Sequence, residues 1–407
     1  MEVKEKEDEQ PPEPRKTFYP KEEEEGDRIS LLPDGLIINE ILSRLDSTKD
    51  AIKIGTLSKR WQHLWPFVPC LFFYDYCFRK FLPSDFSSYL RPIPDFFMCV
   101  DKTLTQCQSE EILNLKHMNL RELLIQINLR KLYNLTQSNK LTKFIVHSNY
   151  DIQFESQVNN WIRFATNCKV QQLRLQFTCL NNDQFVLKDD SFFINSHFTH
   201  LHLGGCVFNP NRPICWKNLT HLTISHGKLD HDLIANILSG SPLLDTLRLN
   251  SCYGYLLLDI TSKSVKNLVF DGYSFDGLDR IIEINAPYIS SLTIIGGLFL
   301  SKILLRNVSS LVKVDLDYIK VGRDMMTHEE ESEEMHKSFI VSLRHVKELK
   351  VGGSCYTLCP IKCCISYMLT LVWKLKVFNF PSNDLVEVTY PLYDTNSKEL
   401  SDCSDNE

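Results

Sequence analysis

Leu219-Thr220-His221-Leu222-Thr223-Ile224 and Leu244-Asp245-Thr246-Leu247-Arg248-Leu249 share one form, apolar-x-x-apolar-x-apolar. The form recurs before them at Val170 to Leu175 and Phe198 to Leu203. It recurs after them at Val265 to Phe270, Ile289 to Ile294, Leu311 to Leu316 and Val346 to Val351. Between fourth positions the spacings are 28, 21, 25, 21, 24, 22 and 35, and all but the last fit the 20–29-residue period of leucine-rich repeats. The long last gap holds the charged run Met325 to Glu334, which reads as a surface insertion. One such unit cannot cover its own apolar side, but a stack of them buries a continuous core and leaves a one-sided surface. Strand side chains alternate between faces, so the fourth and sixth positions are predicted core: Leu222, Ile224, Leu247, Leu249, Leu292 and Ile294. Between two of the strands, Leu233, Ile234, Ile237 and Leu238 form one helical face that Gly240-Ser241-Pro242 terminates.

The x residues between these positions line up as stripes across the opposite face. Basic and imidazole side chains gather at the front of the stripes: Arg174, His200, His202, His221 and Arg248. They are the predicted target-binding residues, suited to an acidic or phosphorylated peptide because Arg pairs with carboxylate and phosphate; loops or the convex side are the alternative. His200 and His221 hold the same position in adjacent strands, about 5 Å apart in such a sheet, with His202 diagonal to them. Three imidazoles in one patch suit a metal or a pH sensor, yet no carboxylate at a matching position orients the rings. They are read as ordinary polar positions of a binding face. No catalytic residue, metal or cofactor is predicted: there is no G-x-S-x-G elbow, no H-E-x-x-H run and no phosphate-cradling loop. Cys355, Cys359, Cys363 and Cys364 lack the paired C-x2-C spacing of structural zinc and read as reduced thiols.

Towards the N-terminus, residues 27–66 change texture. Pro33 and Asp34 suit the first turn of a helix whose apolar face is Ile38, Ile41, Leu42 and Leu45. A second helix fits Thr48 to Leu57, and a third fits Ser58 to Leu64, with Ser58 as its cap. Leu36 and Ile37 make the first helix apolar beyond a single stripe, and three short helices barely form a core. The surplus must be covered by the following domain or by a partner.

Asp27-Arg28-Ile29-Ser30, Leu32-Pro33-Asp34, Ile41-Leu42-Ser43 and Leu57-Ser58-Lys59-Arg60-Trp61 with Leu64-Trp65 resemble the F-box of the plant F-box/leucine-rich-repeat family. Trp161-Ile162, Trp216 to Leu222 and Gly240-Ser241-Pro242-Leu243-Leu244 resemble its repeat region, so the resemblance runs from about Asp27 to Val351. One departure is local: Asp46-Ser47-Thr48-Lys49 replaces the family's shorter, proline-containing turn. The family's C-terminal FBD module is not discernible. The resemblance implies a substrate-recognition subunit of a Skp-cullin-F-box ubiquitin ligase. Leu32 and Pro33 would contact the Skp-type adaptor, and Leu36, Ile37, Trp61 and Trp65 would extend that surface. The alternative is an F-box/repeat interaction protein not coupled to ubiquitin transfer.

The expected fold is thus α/β: a three-helix F-box (27–66), then degenerate repeats or a connector (67–160), a leucine-rich-repeat solenoid (161–352) and a C-terminal extension (353–407). Residues 1–26 read as a disordered acidic tail, since Glu, Lys and Pro leave little to bury. Residues 1–27 hold eleven acidic and five basic side chains, which is the whole net charge of −6. A neutral body lacks the basic footprint of a nucleic-acid binder. No segment is apolar for long enough to suggest a secretory signal or a membrane span, and the scattered cysteines suit a reducing compartment, cytoplasmic or nuclear.

Overall fold

The computed structural model describes residues 31–79, 91–109, 141–179, 184–208, 210–274, 281–300, 302–320, 339 and 342–352. The acidic leader, the Met325–Glu334 insertion and the four-cysteine cluster lie outside them.

The spine is a curved ten-stranded parallel sheet. It runs through β1 (Cys70–Tyr74), β2 (Lys143–Tyr150), β3 (Gln172–Cys179), β5 (His200–Gly204), β7 (His221–Ser225) and β8 (Thr246–Cys252). It continues through β10 (Asn267–Tyr273), β12 (Ser291–Leu298), β14 (Lys313–Lys320) and β15 (Glu348–Val351). Chain order is sheet order, because each repeat lays its strand beside the one before. At the strand heads one carbonyl takes two donors from the next repeat: Thr199 O accepts from the N–H groups of Thr220 and His221, and Thr220 O from those of Asp245 and Thr246. The register pairs Leu222 with Leu201 and Leu247, and Leu292 with Leu268 and Val314. All six predicted core residues are buried.

The convex layer changes character along the array. In the front it is helical: α4 (Glu155–Asn167) buries Val158, Trp161 and Ile162, and α6 (His231–Gly240) buries Leu233, Ile234, Ile237 and Leu238, the four whose spacing predicts a helical face. Asp230 caps α6 by accepting from Leu233 N–H at 2.8 Å. Further on, short strands β9 (Leu257–Asp259), β11 (Ile281–Asn285) and β13 (Lys302–Arg306) form a second parallel sheet of their own. Two more short strands, β4 (Phe185–Leu187) and β6 (Cys206–Phe208), pair nearer the front. Leu247 sits in the middle of this sandwich. Leu247→Ala is expected to cost about 2–5 kcal/mol in chemical denaturation, the range for truncating a buried leucine.

The N-terminal module differs from its sequence reading in two places. The first helix begins at α1 (Asp34–Leu36) with Pro33 as its N-cap, and then widens into a π-helical turn over Ile37–Ile41. The extra residue in that turn rotates Ile37 inward beside Ile38 and Leu42, while Ile41 and Leu45 are only half-buried. The third helix does not form: Trp61–His63 and Trp65–Phe67 are separate 3-10 turns. Pro66 has no N–H to continue an α-helix and disfavours helical geometry just before it. The second helix, α2 (Thr48–Gly55), stops two residues early.

The surplus apolar surface has a cover. Ile37, Leu42, Leu64, Trp65 and Val68 join the same core as Leu71 and Phe73 of β1. Thr48 Oγ1 accepts from Phe72 N–H at 2.8 Å, and Lys49 Nζ donates to Cys77 O at 2.6 Å while lying 4.1 Å over the Phe78 ring. The helical module therefore covers the first strand of the sheet, whose exposed edge would otherwise invite pairing with another chain.

Candidate functional site

Two surfaces remain after the core is accounted for. The first is the outer side of the N-terminal module. Arg60 ties its two apolar segments together: its guanidinium pairs with Asp34 (Nε to Oδ1 2.8 Å) and donates to Leu32 O. Of the six residues predicted to contact an adaptor, Pro33 and Leu36 are exposed, and Leu32 and Trp61 are half-buried. Ile37 and Trp65 are 0% and 6% exposed. Their side chains hold the module to the sheet, so they support the surface from behind. Leu31 (79%) and Leu57 (79%) stand out beside Leu36 (48%) as apolar side chains turned to solvent. Neither was among the six. The helix expected over Thr48 to Leu57 ends at Gly55, and Leu57 beyond it faces solvent.

The second surface is the concave face of the sheet. The columns follow the predicted register: Gln172, His200, His221 and Thr246 in one, Arg174, His202, Thr223 and Arg248 in the next. Both run further forward than the repeats suggested, to Lys143 and Ile145 of β2. His200 and His221 stack face to face, with ring centroids 4.3 Å apart and planes 6° from parallel. The hydroxyl of Thr199 lies 3.0 Å from Nδ1 of His200, and that of Thr220 2.9 Å from Nδ1 of His221. Each hydroxyl also reaches a backbone carbonyl, Gln171 O at 3.1 Å and Thr199 O at 2.9 Å. Those carbonyls already take two backbone N–H donors each, so each hydroxyl is shared between a carbonyl and the neighbouring Nδ1, and Nε2 of both rings is left towards solvent.

His202 is turned away from this pair. Its Nε2 meets Oε1 of Gln176 at 2.8 Å. Burial first, then the charges of Arg174, Arg248 and His147, push its pKa down to about 4. Arg248 is already paired, its Nη2 2.6 Å from Asp271 Oδ2. Of the five predicted target-binding residues, Arg174, His200 and His221 are exposed and His202 and Arg248 are committed to neighbours. No group of three or more His, Cys, Asp or Glu among the described residues is arranged to hold a metal ion. None of the described helices is long and apolar enough to cross a membrane.

A family model for the leucine-rich-repeat domain of At1g61320/AtMIF1 matches residues 136–332. The F-box protein At5g03100 of Arabidopsis thaliana is 29% identical over 333 residues, 80% of this chain and 89% of the relative. The putative F-box protein At1g49610 is 31% identical over 72% of this chain, and the F-box/LRR-repeat protein At3g03360 is 26% identical over 81%, both from the same plant. The chain is similar to the F-box and F-box/leucine-rich-repeat proteins of this plant. It spans 62% and 60% of the length of those last two relatives. No solved structure matches.

Within this F-box/repeat protein the departure at Asp46-Ser47-Thr48-Lys49 is structurally complete. Ser47 is the N-cap of α2: its Oγ accepts from Asp50 N–H at 3.2 Å and donates to the Asp50 carboxylate at 2.8 Å. Those bonds, with Lys53 the largest influence, hold the Asp50 carboxyl below its usual range. The family's proline is thus replaced by a capped helix start.

The F-box/repeat protein is also expected to lose stability in mild acid. The His202 pKa lies near 4 when folded and near 6.5 when unfolded, so between those values the unfolded chain binds more protons. Stability should therefore fall as pH drops from about 6.5 towards 4. The His202→Gln variant should show a shallower slope when urea midpoints are compared at pH 7 and 4.5; an unchanged slope would remove His202 from the account.

Proposed function

We propose that this protein is the substrate-recognition subunit of a Skp-cullin-F-box ubiquitin ligase. The observation that carries the reading is the division of labour between its two surfaces. The N-terminal module spends one side on β1 and leaves Leu31, Leu36 and Leu57 exposed on the other. The concave face runs across the strands beyond β1 and exposes Arg174, His200 and His221. In this reading Leu32 and Pro33 with those exposed leucines engage a Skp-type adaptor, and through it a cullin scaffold. The repeats hold a target protein.

Catalysis here is proximity. A tethered target presents its lysines to activated ubiquitin at a high effective concentration, and this chain supplies no reacting group. The test is co-expression with a Skp-type adaptor and cullin. The three should copurify, and proteins captured through the repeats should acquire ubiquitin when activating and conjugating enzymes are added. Adaptor capture with no transfer to any captured protein would leave only an interaction protein.

A further inference from the structure

The charges on the concave face are distributed unevenly along the array. The first six strands of the main sheet, β1, β2, β3, β5, β7 and β8, contain no Asp or Glu at all. They carry Lys143, Arg174, Arg248 and four histidines, His147, His200, His202 and His221. The later strands neutralise themselves across the register: Asp271 takes Arg248 at 2.6 Å, Asp315 takes Lys350 at 2.9 Å, and Glu348 takes Lys313 at 2.7 Å. Among the described residues Arg174 is exposed and neither it nor Lys143 has a carboxylate partner; Lys143 lies 5.3 Å from the Phe72 ring. The front of the face is thus a cationic strip with nothing of this sheet to balance it.

We propose that this strip, from Lys143 and Arg174 to the stacked His200–His221 pair, docks an acidic segment of the target protein, and that the pair takes up protons as the segment binds. The inference rests on the reading that the repeats hold a protein target. Proton uptake follows from charge and geometry. With Nδ1 of each ring held at a threonine hydroxyl, Nε2 is the atom an incoming anion meets, and an anion there favours the protonated ring. Protonation turns that atom into a charged donor and makes the contact attractive.

The groups around the pair all act in one direction before a ligand arrives. Facing His200 are Gln172 and Arg174 of β3, Lys143 beyond them, and His221 of β7. His221 faces His200 on one side and Thr246 and Arg248 of β8 on the other. Among the described residues, the carboxylate at the head of the neighbouring strand, Asp245 before β8, is occupied by Thr246 Oγ1 at 3.0 Å and Asn267 Nδ2 at 2.8 Å. Burial, then His221 and Lys143, hold the His200 pKa below its usual value. An incoming carboxylate or phosphate reverses the balance, so affinity should rise as pH falls through the imidazole range.

The test uses the full chain and fluorescein-labelled peptides: hexaglutamate, a phosphoserine peptide of equal charge, and hexaglutamine. Anisotropy at constant ionic strength should show hexaglutamate binding roughly tenfold more tightly at pH 5.5 than at pH 7.5, the effect of about half a proton taken up over two pH units. Hexaglutamine should not bind. Arg174→Glu should lose binding at both pH values, while His200→Gln with His221→Gln should keep the pH 7.5 affinity and lose the gain at pH 5.5. A stronger signal from the phosphoserine peptide at pH 7.5 assigns the strip to phosphorylated targets, and one from hexaglutamate to plain acidic ones. No binding of either, or binding untouched by Arg174→Glu, overturns the proposal, as does a pH gain that survives the double glutamine variant. Adaptor capture is measured on the same variants. Its loss in the unaltered chain would sink the ligase reading, and its survival in a chain that ignores acidic peptides would sink only this one.

Discussion

Trp161→Ala is expected to lower stability by about 3–5 kcal/mol, the range for removing a buried tryptophan, and to do so without touching either binding surface. Trp161 of α4 is 1% exposed and sits where the front of the array meets α3 (Pro94–Ser109). Its ring stacks on Phe97 at 5.2 Å and meets Phe96 edge-on at 6.2 Å. Its Nε1 donates to Asp101 Oδ1 at 2.6 Å, while Gln157 holds the other oxygen at 2.7 Å. Truncation would remove the aromatic contact and one donor to a charged acceptor together. Trp161→Phe separates the two, since it keeps most of the packing and should cost about 1.5–3 kcal/mol for the lost charged hydrogen bond. Urea denaturation of both variants reads the difference. A Trp161→Ala loss below that of Trp161→Phe would mean that α3 does not depend on this contact.

The repeats were legible because their periodicity is a physical requirement. Every strand must place its fourth and sixth side chains inward, and Leu222 and Ile224 announce this in six residues. The first two strands obey the same rule: Val68-x-x-Leu71-x-Phe73 and Leu141-x-x-Phe144-x-Val146 have the form of the later units. Phe144 lies 29 residues before Leu173, within the repeat period, whereas 73 residues separate Leu71 from Phe144 and hide the connection. Lys143 lies in the second of these units, outside the repeats legible by spacing, and it carries half of the unbalanced charge on the front of the face.

The site was harder to read than the fold because exposure is a tertiary property. Arg174 and Arg248 look alike in the sequence. Among the described residues the first finds no carboxylate and the second meets Asp271, a difference set by a residue one repeat away. His200 and His202 differ by two residues and share a face. Gln176 draws the second inward, while Thr199 and Thr220 hold the first and its neighbour upright. In the N-terminal module Leu36 and Ile37 are assigned to one surface, yet Ile37 at the start of the π-turn packs inward while Leu36 stays exposed. Hydropathy cannot report that division, because both residues are strongly apolar.

That division sets up the second large effect. Leu36→Asp combined with Leu57→Asp is expected to abolish capture of a Skp-type adaptor, since both side chains project from the module and neither contributes to its buried core. A charge at the centre of an apolar contact must be desolvated without a partner, which is enough to eliminate a standard-sized interface. Replacing Leu32 and Pro33 by alanine should have the same outcome through the other exposed segment. Ile37→Ala should behave differently. It empties a fully buried position and should cost about 2–5 kcal/mol of stability, while the folded fraction still binds the adaptor. Pulldown with purified adaptor, alongside the urea midpoint of each variant, separates the two classes. If Leu36→Asp with Leu57→Asp captures the adaptor at full strength from a normally stable chain, the docking face lies elsewhere. If Ile37→Ala keeps full stability yet loses the adaptor, the π-turn must rearrange on binding and bring Ile37 to the surface.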